Sequence, residues 1–129
     1  MNNTLKLIED YNFEESGYKR GDKYWKASTL YKYVKDKKLK AIKYPLACFD
    51  LSTKYPQFDN EQIDNVIYQA KRTINCNPDI PIILDDLGQV ADGIHRIIKA
   101  FCEDREYIMA YRLIEMPRPD GIKEQEADK

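Results

Sequence analysis

The sequence predicts a small single-domain α/β (α+β) fold in which helices pack on a mixed sheet. The chain has 129 residues and 43% apolar residues, enough for one hydrophobic core. Apolar residues recur at helical spacing in three stretches, and short strand-like runs alternate with them. The resulting order of elements is α, β, α, β-β, α, β, which is typical of a compact mixed domain.

Bulk properties exclude several classes of protein. The formal net charge is -1, and the three cysteines have no CxxC spacing, so we expect reduced thiols and no structural zinc site. No apolar run is long enough for a transmembrane helix, and the first residues lack the apolar core of a signal peptide. The sequence therefore predicts a cytoplasmic protein with no membrane partner.

The first third of the chain predicts one helix and one strand. Residues 24–39 have apolar positions at helical spacing, and Ser28 is a plausible N-cap. Residues 41–51 look like a strand that enters a loop, with Pro45 at an edge or a bend. Residues 1–40 as a whole are an N-terminal extension that carries this basic helix.

The next helix has the clearest periodicity in the sequence. It is predicted from Asn60 to about Ile74, with Asp59 as N-cap and Gln62 three residues later in a capping-box pattern. A stripe of apolar residues along it is expected to face the core. The stripe consists of Ile63, Val66, Ile67, Ala70 and Ile74.

The second half of the chain predicts a hairpin, a helix and a closing strand. Residues 80–84 are too apolar for an exposed edge strand, residues 85–88 have turn composition, and residues 89–91 return as a short strand. A helix over 93–103 and a strand over 107–114 follow. Residues 115–129, with two prolines, a glycine and alternating charges, are expected to form a disordered acidic tail.

The stretch Asp92-Gly93-Ile94-His95-Arg96 opens the last predicted helix and contains the only histidine of the chain. Asp92 stands at the expected N-cap position, and Gly93 allows the backbone to approach a ligand. His95 and Arg96 fall in the first helical turn, where free N–H groups and the helix dipole favour an anion. The pattern therefore predicts a phosphate or carboxylate site with Arg96 as a bidentate donor.

This motif and the elements around it resemble the ParB/sulfiredoxin superfamily, in the subtype with an Asp-Gly-x-His-Arg motif. Thr73-Ile74 near the end of a helix, the Pro81-Ile82-Ile83-Leu84 strand and a glycine turn precede the motif in the expected order. The resemblance covers residues 41–114. It implies a ParB/sulfiredoxin-like fold that binds a nucleotide triphosphate, ATP or CTP, with Mg²⁺. Carried over by motif, the nucleotide-binding residues are Thr73, Asp92, Gly93, His95 and Arg96.

The resemblance also bears on the reaction. Ile94 stands where sulfiredoxins have their cysteine, which argues against repair of cysteine sulfinic acid. Asp50 is the carboxylate nearest to the catalytic glutamate of the kinases of this fold, so Asp50 and His95 are the candidate catalytic residues. The leading hypothesis is an NTP-dependent phosphotransferase or hydrolase, and a homodimer is a further expectation.

Two alternatives stay open. Between residues 19 and 43, lysine and arginine greatly outnumber acids and alternate with tyrosine and tryptophan, a composition typical of DNA-binding or nuclease-like proteins. The candidate nucleic-acid contacts are Lys32, Lys35, Lys37 and Lys38. The other alternative is a phage or bacterial interaction module that binds a host protein and has a vestigial site.

Overall fold

The structure, a computed structural model, describes residues 17–122. Residues 1–16 and 123–129, the outer parts of the predicted extension and tail, lie outside the described residues. The helices are α1 (Ala27–Asp36), α2 (Ile63–Asn75) and α3 (Ile94–Cys102). The strands are β1 (Gly17–Arg20), β2 (Lys23–Lys26), β3 (Ile42–Pro45), β4 (Ile82–Leu84), β5 (Val90–Asp92), β6 (Tyr107–Arg112) and β7 (Gly121–Ile122). The predicted small single-domain α+β fold is confirmed.

A four-stranded mixed sheet with strand order β3-β6-β4-β5 forms the centre of the fold. Strands β4 and β6 are parallel, and α3 lies between them in the chain as the crossover helix. Strands β3 and β5 add antiparallel edges. The three residues of β4 are all buried, which explains why this strand is apolar throughout.

Alternate residues of β4 face two different apolar clusters, as the pleat of a strand requires. Ile82 and Leu84 belong to a cluster with Ile97 and Ala100 of α3. Ile83 belongs to the other cluster. The other residues of that second cluster are Trp25, Leu30, Tyr31, Val34, Ala91 and Leu113. Residues 17–40 therefore share a core with residues 41–114.

A second sheet has the strand order β1-β2-β7. The predicted helix over 24–39 is wrong at its start, because residues 23–26 form β2 and Gly21 closes a hairpin at φ 62°. The predicted N-cap Ser28 lies inside α1. The carboxylate of Asp120 instead accepts hydrogen bonds from the N–H of Lys26 and the hydroxyl of Thr29, at 2.7 and 2.9 Å. These contacts cross more than ninety positions of sequence.

The predicted disordered tail is wrong for residues 117–122. The indole N–H of Trp25 donates to the carbonyl of Pro117 at 2.8 Å, and β7 pairs with β2. The proline and glycine residues of this stretch predict disorder, but in the structure they return the chain to the N-terminal hairpin. None of the helices in residues 17–122 is long and apolar enough to cross a bilayer.

Asp85 ties the two sheets together from the turn between β4 and β5. Its carboxylate is fully buried and accepts hydrogen bonds from the hydroxyl of Tyr18, the guanidinium of Arg20 and the backbone N–H groups of Leu87 and Gln89. Burial alone raises the pKa of this carboxyl, but the hydrogen bonds hold the pKa below its ordinary value. The carboxylate therefore has a structural role in this turn.

Helix α2 differs from its prediction in both its start and its orientation. It begins at Ile63, and Gln62 occupies the N-cap position instead of Asp59. The stripe predicted to be buried is exposed: Ile63 is 72%, Ile67 49% and Ile74 67% accessible. The one buried residue of the helix is Gln69. Periodicity shows that a helix has an apolar face, but it does not show which way that face points.

Candidate functional site

A cleft of about 1460 Å³ lies beside the first turn of α3 and is the candidate site. Its walls come from the β1–β2 hairpin, the segment between β3 and α2, Arg72 of α2, and the β5–α3 junction with the inner side of α3. Positively charged residues in the lining are Lys19, Arg20, Lys54 and Arg72. Carboxylates in the lining are Asp50, Asp59, Glu61 and Asp92.

The β5–α3 junction depends on the backbone of Gly93. This residue has φ 119° and forms the N-cap of α3, so Asp92 is not the N-cap as predicted but the last residue of β5. A side chain at position 93 would collide with Ile82. Among the described residues, the backbone N–H groups of Ile94 and His95 have no hydrogen-bond partner, and no side chain caps this end. These donors are available to an anion in the cleft.

Arg96 lies in the interior instead of on the cleft wall. Its side chain is 3% accessible and donates to the carbonyls of Ile80 and Pro81 at 3.1 and 2.9 Å. It also donates to the hydroxyl of Tyr31 at 2.8 Å and to the carboxylate of Asp92 at 2.6 Å. Its donors hold the residues before β4, the end of β5 and α1 together. The position expected for a bidentate phosphate ligand is thus taken by a structural cation.

The Asp92–Arg96 ion pair is nearly dry, with side chains 9% and 3% accessible. The hydroxyl of Tyr31 lies 3.1 Å from the Asp92 carboxylate and 3.0 Å from the carbonyl of Pro81, and burial raises the pKa of this tyrosine. Asp92 also contributes to the cleft lining. Asp92 interacts mainly with residues of the core, so it lies at the boundary between the core and the cleft.

His95 ends a chain of side-chain hydrogen bonds that starts in the loop before α2. The amide of Asn65 donates to the carbonyls of Gln57 and Asn60, at 3.0 and 2.7 Å. Asn65 then accepts from Gln69 at 3.1 Å, and the Oε1 of Gln69 lies 2.7 Å from Nε2 of His95. Carbonyl groups only accept, so the direction of every bond in the chain is fixed. Nε2 of His95 therefore carries the proton.

The same chain leaves Nδ1 of His95 as an acceptor. Burial, together with the positive charges of Arg72 and Arg96, lowers the pKa of His95 to about 4. The imidazole is therefore neutral at physiological pH. It lines the cleft and offers a lone pair, which suits a hydroxyl, an amino group or water better than a phosphate oxygen.

Arg72 is the cation whose surroundings most favour an anionic ligand. It lies on the inner side of α2, is half-buried, and lines the cleft. Its guanidinium is 5.9 Å from the centroid of the Tyr68 ring, and it makes no ion pair with any residue in the range 17–122. Binding of an anion beside a partly desolvated cation that has no carboxylate partner is favourable.

The remaining predicted site residues divide into two groups. Asp50 lines the cleft, but its carboxylate accepts hydrogen bonds from the N–H and hydroxyl of Ser52, which lower its pKa. Thr73 does not line the cleft, because its hydroxyl donates to the carbonyl of Gln69 at 3.0 Å within α2. The structure therefore brings Asp50, Asp92, Gly93 and His95 to one cleft. Within residues 17–122, no three His, Cys, Asp or Glu side chains are grouped as a metal site.

The predicted nucleic-acid surface is present only in part. Lys32, Lys35, Lys37 and Lys38 are exposed on and after α1, away from the cleft lining. Lys32 pairs with Asp36 at 2.8 Å. The aromatic residues expected to stack on bases are largely committed to the protein, since Trp25 is 2% and Tyr31 9% accessible.

Two residues of the site, Gln69 and Arg20, are not among the residues that the sequence predicts. Gln69 fixes the tautomer of His95, and Arg20 brings charge from β1. The sequence does offer Arg72, near the end of its helix, as a residue that reaches a phosphate. The polar residue Gln69 lies on the side of α2 opposite its apolar stripe. This position is the one signal in the sequence that a polar face of the helix points inward. The position of Arg20 depends on the β1–β2 hairpin, which the sequence does not predict.

Comparisons with models of protein families, with curated proteins and with solved structures find no match to this chain. The resemblance to the ParB/sulfiredoxin superfamily therefore stays a prediction that rests on the Asp-Gly-x-His-Arg motif and the order of the elements around it.

Proposed function

We propose that the cleft binds a nucleotide, with its phosphates at the start of α3 beside Arg72. The proposal rests on two kinds of hydrogen-bond donor that lie in the same cleft and lack an anionic or acceptor partner. Arg72 is half-buried without a carboxylate partner, and the backbone N–H groups of Ile94 and His95 have no acceptor among residues 17–122. Both kinds of donor line one cleft, and both favour an anion.

The rest of the lining fits the other parts of a nucleotide. Aromatic side chains at the loop after β3 and before α2, Tyr55 and Phe58 among them, line the cleft and offer surfaces on which a base can stack. The acceptor nitrogen of His95 fits a hydroxyl group or a water molecule beside the phosphates. A nucleotide thus fits the cleft better than a simple inorganic anion, which would leave these surfaces unused.

Phosphoryl transfer or hydrolysis of a nucleoside triphosphate such as ATP or CTP is the reaction we propose for this site. Magnesium ions that accompany nucleotides are held by one or two carboxylates together with phosphate oxygens. Asp50 or Glu61 in the cleft lining would hold such an ion, which neutralises phosphate charge when bound. The residues of this chain would position the phosphates, and neutral His95 would accept a hydrogen bond from the attacking hydroxyl or water.

Titration calorimetry with ATP, CTP, GTP and ADP, each with Mg²⁺, tests the proposal. The variant Arg72→Met should weaken binding by about tenfold or more, as expected for loss of a charge-assisted contact. Lys35→Met is the matched control, because it removes one positive charge from an exposed position outside the cleft. Absence of binding, or equal weakening by the two variants, would contradict the proposal.

A second candidate function, DNA binding, rests on the exposed lysines at the end of α1. Lys35, Lys37 and Lys38 make no ion pair with other residues in the part of the chain that the structure describes. Titration with a single-stranded oligonucleotide at several salt concentrations separates the two functions. If Lys35→Met weakens this binding and Arg72→Met does not, the lysine surface is the site. If neither ligand binds, the hypothesis of a module that binds a host protein is favoured.

A further inference from the structure

The orientation of α2 leaves an apolar surface exposed on the outside of the protomer. Ile63, Val66, Ile67 and Ile74 are 72, 50, 49 and 67% accessible, and Ala70 is also exposed. The face turned toward α3 is polar and carries Gln69 with its hydrogen bonds. A helix with its apolar side in solvent and its polar side inside is the reverse of the usual arrangement.

From this surface we infer that the chain forms a homodimer in which α2 packs antiparallel against α2 of a second copy. Ile63, Ile67, Ala70 and Ile74 are separated by four, three and four residues, the spacing of the seam of a two-helix coiled coil. Their positions are symmetric about the middle of the helix. An antiparallel pair related by a two-fold axis therefore places Ile63 against the partner's Ile74, and Ile67 against the partner's Ala70.

The charges beside the stripe fit a second copy in this orientation. Asp64 and Lys71 are exposed and follow Ile63 and Ala70, so they flank the same edge of the seam. In an antiparallel pair, this edge of one helix lies beside the same edge of the other, and Asp64 faces the partner's Lys71 twice per dimer. A parallel pair would not match these charges, because the edge with Asp64 and Lys71 would lie beside the opposite edge of the other helix, where Val66 stands near Asp64.

The small area of the apolar stripe on α2 predicts a weak association. A helix of 13 residues is ~20 Å long, and its apolar stripe covers a few hundred Å² of surface. Stable complexes bury about 800 Å² on each partner, so we expect reversible association in the micromolar range or weaker. Measurements must therefore span chain concentrations from low micromolar to several hundred micromolar.

Sedimentation equilibrium over that range tests the stripe. We expect a monomer–dimer equilibrium in the unaltered protein, and Ile67→Glu should weaken it by at least ~10-fold, because each dimer loses the apolar contact twice. Ile67 is half exposed, so circular dichroism of the variant should match that of the unaltered chain. Lys35→Glu on α1 is the control for added negative charge. A monomer at every concentration, or a dimer unaffected by Ile67→Glu, would overturn the inference.

Charge reversal tests the antiparallel orientation. Asp64→Lys alone and Lys71→Asp alone should each weaken association, because each brings like charges together twice per dimer. An equimolar mixture of the two variants should associate more tightly than either variant alone, since a mixed dimer has opposite charges at both contacts. If the mixture associates no better than the single variants, the antiparallel arrangement is wrong.

Discussion

Nε2 of His95 lies 2.7 Å from Oε1 of Gln69, and this buried contact joins α3 to α2. It is the last bond of a chain that begins at two backbone carbonyls, so its donor is the imidazole. The bond is compatible with a neutral His95 that has its proton on Nε2. A second proton would go on Nδ1 and place a positive charge in a buried position near Arg72 and Arg96. Burial and these two charges lower the pKa of the ring.

The stability of the fold should depend on pH through His95. Its pKa is about 4 in the folded chain, whereas the ordinary value is 6.5. Between these values the unfolded chain binds a proton that the folded chain does not bind, so the contribution of His95 is complete above pH 6.5 and is lost as pH falls toward 4. A shift of this size corresponds to roughly 3 kcal/mol. Urea unfolding at pH values from 4 to 7, compared between the unaltered chain and His95→Gln, measures it.

Comparing the unaltered chain with His95→Gln separates the contribution of His95 to stability from that of the carboxylates. The carboxylates titrate in the same pH range but are present in both proteins. The difference in unfolding free energy between the two proteins should be largest at pH 7 and should shrink as pH falls. A difference that is constant with pH would mean that the histidine has an ordinary pKa in the folded chain. Because the sequence contains one histidine, its NMR titration gives the same pKa directly and without assignment.

Replacing the acceptor should move the pKa of His95. In Gln69→Glu a carboxylate faces Nε2, and an opposite charge in hydrogen-bond contact favours the protonated ring. We therefore expect the pKa to rise above its value of about 4, and the NMR titration of the ring protons measures the change. In Gln69→Leu the donor loses its partner, which should lower the unfolding free energy by about 1–3 kcal/mol. An unchanged pKa in Gln69→Glu would show that the two side chains are not in contact.

Arg96 should behave as a residue of the core instead of as a ligand. Arg96→Ala leaves the buried carboxylate of Asp92 without its cation, and breaking such a pair typically costs about 3–5 kcal/mol. Arg105→Ala, which removes an exposed arginine paired with Asp79, should cost less than about 1 kcal/mol. Chemical denaturation measures both. A small effect of Arg96→Ala together with a loss of nucleotide affinity would instead restore its predicted role as a phosphate ligand.

The sequence predicted the central sheet well because its signals are local. The apolar run that became β4, the turn at Asp85–Gly88 and the helix that became α3 each have a pattern that a few neighbouring residues determine. Features that depend on distant partners were missed. Asp120 binds the start of α1 from the other end of the chain, and the strand at Lys23–Lys26 needs β1 and β7. No pattern within residues 24–39 contains that information.

The candidate site shows the same division. The sequence located the Asp92–Arg96 stretch at the start of a helix, and the structure places it beside the cleft. The sequence did not show that Arg96 faces inward or that Arg20 reaches the cleft from β1. Residues 95 and 96 are adjacent, so their side chains point about 100° apart on a helix. Arg96 reaches the carbonyls before β4, and His95 reaches the cleft.

Gly93→Ala tests whether the β5–α3 junction needs glycine for packing as well as for its backbone angle. Gly93 has φ 119°, and a Cβ there would collide with the side chain of Ile82. Gly21 is the matched control, because it has φ 62° with no atom within 4 Å of an added Cβ. Gly21→Ala should cost about 1 kcal/mol from the backbone alone. Gly93→Ala should cost at least ~2 kcal/mol more, as expected when a filled core has to move. Equal losses of unfolding free energy in the two variants would show that Ile82 does not limit the space at the start of α3.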